Sequence, residues 1–388
     1  MKPIYLDYAA TTPADPRVVA AMLPYFEEIF GNPSSLHAFG QEAGAVVEGV
    51  RAKVASFLGV RPVEIVFTSG GTESDNFAIK GVAYANRKRG NHIITSAIEH
   101  HAVLSTCRFL ETEGFRVTYL PVDGDGLVDP AAVAGAITDE TILVSIMHAN
   151  NEIGTMEPIA EIGRLAHERG VYFHTDAVQT FGHLPFGAGE LNADLLSASA
   201  HKLYGPKGVG LLYIREGTRI LPFMNGGGQE SGRRSSTLNV PGIVGFGKAV
   251  DLAAASLAEE NARLTALRDR LIAGLFERLD GIRLNGHPVR RLANNINISI
   301  DHVDGEGMIL SLDMLGIACS TGSACSSSSL EPSHVLAAIV RPGGLPHGSL
   351  RISLGRQTTE GDIDAVLEAL PQVVGRLRTM SPDFTGRG

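Results

Sequence analysis

The sequence predicts an α/β fold, with a large domain built on a mainly parallel seven-stranded sheet and a smaller α+β domain beside it. Three observations carry this. Short apolar runs alternate with helical patterns through the middle of the chain. The 388 residues exceed what one compact core usually holds, which favours two domains. The 45 glycines suit the many tight turns of such a fold.

The elements follow in order. EIVFTS (64–69) reads as a buried strand, and GGTESDNFAIKGVAYA after it as a turn and helix. HIITS (92–96) is a second strand, with a helix from about 100 to 113. FRVTYLPV (115–122) is a third and TILVSIMHAN (141–150) a fourth, followed by the helical IAEIGRLAHERG. VYFHTDA (171–177), ADLLSASA (193–200) and GVGLLYIR (208–215) complete the seven. This rhythm implies parallel strands covered by helices on both faces, with ligands gathering at the carboxyl ends. One long helical pattern spans about 250–280 and leads into the second domain. There NNINISI and LRISLG read as strands, and GEGMILSLDMLG and a segment from TTEGDID to about 378 as helices. The expected division is a large domain over 15–257 and a small one made of 1–14 and 258–388. The small one carries a cysteine loop at about 318–333.

Composition narrows the function. The formal charge is -9 and no concentrated Lys/Arg run is present, which argues against direct nucleic-acid binding. MKPIYLDYAATTP lacks the apolar core of a signal peptide, and no apolar run reads as a membrane span. A cytoplasmic protein without membrane contact is expected. Three cysteines (Cys107, Cys319 and Cys325) do not make a disulfide framework and leave room for a reactive thiol. Cys319 and Cys325 also lack the close His/Cys set that would complete a metal site, so none is expected.

The chemistry-bearing residues sit just past strand ends. In SASAHKLYGPKG, Lys202 follows a strand and precedes a Gly/Pro-rich loop, where an amine can form a Schiff base with an aldehyde cofactor. Ser199 and His201 offer donors suited to a phosphate. An exposed loop lysine is the ordinary alternative. Asp176 can hold a pyridine nitrogen protonated, and Gln179 can donate to a phenolic oxygen. A helix cap is the competing reading of Asp176. Gly71 and Thr72, in GGT, place N–H groups and a hydroxyl at a helix N-terminus, which is an anion site or an ordinary glycine turn. His100, in IEHHA, is suited to stack on a ring and move protons, or to cap a helix.

The series YLDYAATTP, GNPSS, FTSGGTESDN, EHHAV, HANNEIG, HTDAVQ, SAHKLYGPKG, GGGQESGRRSSTLN, STGSACSSSSLEPSHVL and RISLGR resembles the motifs of the NifS/IscS-type cysteine desulfurases. These are class V aminotransferase-family enzymes on the fold-type-I scaffold. The resemblance runs from residue 4 to about 360. It implies pyridoxal 5′-phosphate as cofactor, with Lys202 as its Schiff-base lysine and His100 stacked on its ring. Asp176 would pair with the ring nitrogen and Gln179 with the phenolic oxygen. Gly71, Thr72, Ser199 and His201 would hold the phosphate. Thr237 would reach the phosphate held by a partner subunit, which implies a homodimer. Asn151 and Arg356 would hold the substrate, L-cysteine. His101 stands where the family usually has another residue, and Ser236 where it usually has glycine.

Cys325 would be the nucleophile. Its segment, ACSTGSACSSSSLEPS, has the composition of a mobile loop with little to pack. The resemblance implies attack on the substrate sulfur, a persulfide on Cys325, and release of L-alanine. Sulfur would then pass to an acceptor protein of iron–sulfur cluster assembly or another thiolation pathway. The alternative is another class V enzyme, such as a selenocysteine lyase or an aminotransferase, which would share Lys202 and Asp176 without needing Cys325.

Overall fold

A computed structural model describes residues 3–321, 333–339 and 348–380. The chain opens with β1 (Ile4–Tyr5), α1 (Pro16–Met22), α2 (Pro24–Glu27) and α3 (Ala38–Leu58). Asp15 starts α1 by accepting from the Arg17 N–H, and Pro16 takes the first helical position, where no N–H is needed. Gly59 ends α3 at a φ of 68°, the left-handed conformation that terminates many helices.

The expected seven strands form one sheet. β2 (Ile65–Thr68), α4 (Gly71–Asn86), β3 (His92–Ser96), α5 (His101–Thr112) and β4 (Arg116–Leu120) come first. Then follow α6 (Pro130–Ala136), β5 (Thr141–Ser145), α7 (Ile159–Glu168), β6 (Tyr172–Asp176), β7 (Leu195–Ser199) and β8 (Gly210–Ile214). The strand order is β2-β8-β7-β6-β5-β3-β4. β8 runs antiparallel to both its neighbours, and all the other pairings are parallel. Both faces are covered, as the pleat requires: Phe67 packs into one core with Phe181 and Phe246, while its neighbour Val66 packs into the other with Phe77 and Ile93.

α8 (Val240–Arg278) links this sheet to the second unit. Ile243, Phe246 and Val250 join the first core. Leu264, Leu267, Leu271 and Leu275, at helical spacing, join the second. The helix starts about ten residues before the sequence pattern suggests, with Asn239 capping the Gly242 N–H. Among the described residues α8 is the one helix long and apolar enough to cross a membrane, but it is built into both cores.

The second unit holds β9 (Ile282–Leu284), β10 (Asn295–Ile300), α9 (Gly305–Asp313), β11 (Ile317–Ala318), α10 (His334–Ala338), β12 (Gly348–Ser353) and α11 (Glu360–Met380). β12, β10 and β9 make an antiparallel sheet, and β1 pairs with β11. Leu6 thereby enters the second core, so the N-terminal strand belongs to that unit.

Leu271 is fully buried where α8 meets the second core. Leu271→Ala is expected to cost ~2–5 kcal/mol, read as a lower urea midpoint in circular dichroism. An unchanged midpoint would show that this contact does not hold the second unit.

Candidate active site

A cavity of about 290 Å³ lies at the carboxyl ends of the parallel strands. Gly71 and Thr72 reach it from the N-terminus of α4, His100 from beyond β3, and Asn151 from beyond β5. Asp176 ends β6, Gln179 follows it, and Ser199, His201 and Lys202 lie at and just past the end of β7. Nine residues singled out in the sequence therefore line one cavity, because parallel strands release their chains on the same side of a sheet.

Several of the alternative readings hold at the same time as the site readings. His100 does cap α5: its Nδ1 accepts from the Ala102 N–H at 3.1 Å. That leaves Nε2 as the protonated nitrogen of the neutral ring. Burial, with Lys202 nearby, pushes His100 down to about 4, so the ring is neutral at pH 7. Asp176 Oδ1 accepts from the Val178 N–H at 2.8 Å, as a cap would. Burial pushes its carboxyl up to about 6, against the pull of that hydrogen bond and of Lys202.

Lys202 Nζ donates to the carbonyls of Ala9 and, at 2.8 Å, Ala10. Gln179 Nε2 donates to the Ala9 carbonyl at 3.0 Å. The segment YAATTP therefore seats both side chains. His201 Nδ1 lies 3.1 Å from Thr11 Oγ1, and burial lowers its basicity to about 4. At Gly71 a Cβ would stand 2.6 Å from Val178 Cγ2, so only glycine lets the helix start approach the β6 turn this closely.

The structure corrects Arg356. Its guanidinium pairs with Asp15 at 3.1 Å, lies 4.3 Å from the centre of the Tyr204 ring, and lines a second cavity beside α8, which meets the first at Gln179 and Lys202. Strand β12 has ended at Ser353, and the turn after it swings Arg356 toward α1. The guanidinium that lines the active cavity is Arg351, in the middle of β12. It is 2% exposed, pairs with Asp7 at 2.6 Å and donates to the Asn151 carbonyl at 3.2 Å. The sequence held a signal for it, a lone charge inside an apolar strand.

Thr237 is exposed and lies in a separate surface depression with Tyr25, Ile29 and Phe30. Ser236 carries a φ of 133°, a region that favours the glycine usual there. Cys325 and the serines after it lie outside the described residues.

Besides Arg351, three titratable cavity residues had no part in the sequence reading of the site: Asp75, Glu152 and His334. His334 Nε2 lies 2.9 Å from the Glu99 carbonyl, which can only accept, so Nε2 carries the proton. Its ring centre is 4.8 Å from that of His101, another cavity residue. The hydroxyl of Ser333 donates to Glu152 at 2.6 Å, tying the start of α10 to the cavity wall. Asp75 and His334 lie in helices, where an acid or a histidine looks like solvated surface, and Glu152 lies in the turn after β5, where an acid looks the same.

The aminotransferase class-V family model matches residues 4–366. A cysteine desulfurase IscS from Methanosarcina thermophila is 57% identical over 381 residues, covering 98% of this chain and 94% of that protein. One from Dictyoglomus turgidum is 56% identical over 379 residues, covering 98% and 96%. Among solved structures, a NifS-like protein matches with a TM-score of 0.91 at 40% identity, over 97% of this chain and all of the other. An SspA solved in complex with cysteine matches at 0.80 and 39% identity, over 90% of this chain and 98% of that one. The chain belongs to the aminotransferase class-V family, in its cysteine desulfurase branch.

Proposed function

We propose that this protein binds pyridoxal 5′-phosphate and draws sulfur from L-cysteine onto Cys325, releasing L-alanine. The observation that carries the reading is the meeting of Lys202, the buried Asp176 and the start of α4 in one cavity. The residues suit the cofactor on three counts. The α4 N-terminus, with Thr72, Ser199 and His201, suits a phosphate. Asp176 suits a protonated ring nitrogen, and Lys202 supplies an amine for the aldehyde. Once bound, pyridoxal phosphate supplies an electron sink for the carbanion that forms at the substrate α-carbon.

The chain's own groups do the rest. Arg351, fixed by Asp7 and the Asn151 carbonyl, takes the substrate carboxylate in a bidentate pair. Lys202 Nζ takes and returns the α-proton. The His100 Nε2–H faces the reaction as a neutral donor, held by its bond to Ala102. The Cys325 sulfur bonds to the substrate sulfur as the substrate's carbon–sulfur bond breaks, with the electron pair staying on Cβ. The proton lost by Cys325 is matched by one gained at Cβ, which gives a persulfide and L-alanine. The role of Cys325 rests on its sequence setting and on the full-length similarity to desulfurases.

We extend the reading to a homodimer and a protein acceptor for the sulfur. Beside Thr237 the chain exposes Phe30, whose ring packs against that of the exposed Phe39, and the flanking sequence also exposes Phe26 and Leu36, the latter 90% exposed. A run of large apolar side chains of this kind suits burial against a second copy. Thr237 at its edge would then meet the other subunit's phosphate site.

Cys325→Ala is expected to abolish persulfide and alanine formation from L-cysteine while the visible absorbance of bound cofactor persists; Lys202→Ala is expected to lose that absorbance. Wild-type alanine output from Cys325→Ala would overturn the assignment. Arg351→Ala is expected to lower kcat/KM by roughly a hundredfold, the worth of a charge-assisted bidentate pair, with Arg356→Ala within about threefold of wild type. The reverse order would restore Arg356 to the substrate site. Sedimentation equilibrium is expected to give a dimer, and a monomer at micromolar concentration would remove Thr237 from the site.

A further inference from the structure

Besides Asp176 and the Ser333-bound Glu152, a further carboxylate lies in the active cavity, and the reaction described above leaves it unused. Asp75, in the second turn of α4, is 1% exposed and lines the cavity together with Asp176. Its Oδ1 has no hydrogen-bond partner among the described residues. His174 Nε2 stands 3.6 Å from it.

A row of polar side chains crosses the sheet to reach this point. Ser145 Oγ on β5 lies 2.8 Å from His174 Nδ1 on β6. His174 Nε2 lies 3.0 Å from Ser197 Oγ on β7 and 3.6 Å from Asp75 Oδ1. The row follows the strand register, in which Ser145 pairs with His174 and Ser197 with Asp176. Asp176, two residues past His174, shares its face of β6. The row therefore ends beside the carboxylate assigned to the ring nitrogen.

The charges around Asp75 decide its state. Asp176 and Glu99 are buried acids facing it, and Lys202 is the nearby cation of the cavity. The buried His174 and the half-buried His100 are both neutral. Glu99 is pushed up to about 8 by burial and keeps its proton at pH 7. One lysine cannot balance both Asp75 and Asp176 in a medium that solvates neither. Burial and the Asp176 charge both push Asp75 upward, so the proton belongs there.

We propose that Asp75 is a positioning residue of the cofactor site: a carboxylic acid that keeps its proton and, with Ser197 and His174, leaves Asp176 as the one ionised member of the pair, the charge that would meet the ring nitrogen. The proposal rests on the pyridoxal-phosphate reading above. It makes the floor of the cavity a one-proton pair of acids whose ionised member is fixed by a hydrogen-bonded row.

The test is the affinity of the apoprotein for pyridoxal 5′-phosphate between pH 5.5 and 8.5, with the visible absorbance of the reloaded protein. Asp75→Ala, which removes the head of the row, is expected to weaken binding about tenfold or more and to shift the band. Asp75→Asn, the shape of the neutral acid, is expected to rescue both, within about threefold in Kd. It should leave the pH midpoint of binding in place. An Asp75→Asn midpoint displaced by about one unit or more would mean that a charge had been removed, and would overturn the proposal. Wild-type behaviour from Asp75→Ala would overturn it as well. Should Asp75→Ala fail to fold, the Asp75→Asn midpoint decides alone. Failure of the wild-type apoprotein to bind pyridoxal phosphate would instead overturn the reading beneath it, and this proposal with it.

Discussion

The opposition of Asp176 and Lys202 constrains the rest of the site. The two lie at and just beyond the carboxyl ends of neighbouring parallel strands, inside a cavity where water does little to screen them. A buried carboxylate stays ionised only if its surroundings compensate it. Here the compensation is incomplete, since Asp176 is still pushed up to about 6. The other groups of the cavity follow from that balance. His100 and His201 are both held near 4 and bring no further positive charge at pH 7. Among the described residues, the one guanidinium lining the cavity is matched by Asp7. What is left is a carboxylate suited to a cationic ring and a lysine suited to an aldehyde.

The site is also a joint between the two units. Arg351 arrives on the small antiparallel sheet, and Asp7 arrives on the chain that leaves β1. The same N-terminal stretch is pinned on both sides. The Ala9 N–H donates to Ser353 Oγ at 2.9 Å, and the Thr12 N–H donates to the His201 carbonyl at 3.0 Å. Its carbonyls hold Lys202 and Gln179 in between. Arg351, Lys202 and Gln179 are thus placed by one short segment that is tied to both units. The pairing of β1 with β11 is only two residues long, yet it sets where that segment lies.

How much of this could be read from the sequence depended on the kind of signal. The central strands were legible because each is an apolar run buried on both faces. The start of α8 was hidden by its glycines, which usually mark a break. Here they mark contact: a Cβ at Gly245 would stand 2.7 Å from Met22 Sδ, and one at Gly247 would stand 2.8 Å from Val50 Cγ1. The glycines let α1 and α3 lie against α8, and that is a tertiary fact. The arginine of the cavity was legible as a motif but ambiguous within it. RISLGR holds two arginines five residues apart, and which one faces the cavity depends on where the strand stops. Asp75 left no trace, since an acid in an amphipathic helix is ordinarily a solvated one.

Burying so many titratable groups beside one cavity has a cost, and its sign changes with pH. His100, His148 and His174 are held between about 3 and 4 by burial, below their ordinary value. Unfolding lets them take up protons in acid, so they weaken the fold as pH falls from about 6.5 toward 4. Glu99 and Glu157 are held at about 8, above their ordinary value. Unfolding lets them release protons, so they weaken the fold as pH rises from about 4.5 toward 8. At neutral pH the histidine penalty has gone and most of the glutamate penalty remains. Well-packed apolar side chains in those places would avoid it. Glu99 instead accepts from Ser96 and from the Met147 N–H, and its carbonyl orients His334. The share of stability that Glu99 gives up at neutral pH therefore lies where polar groups are aimed into the cavity.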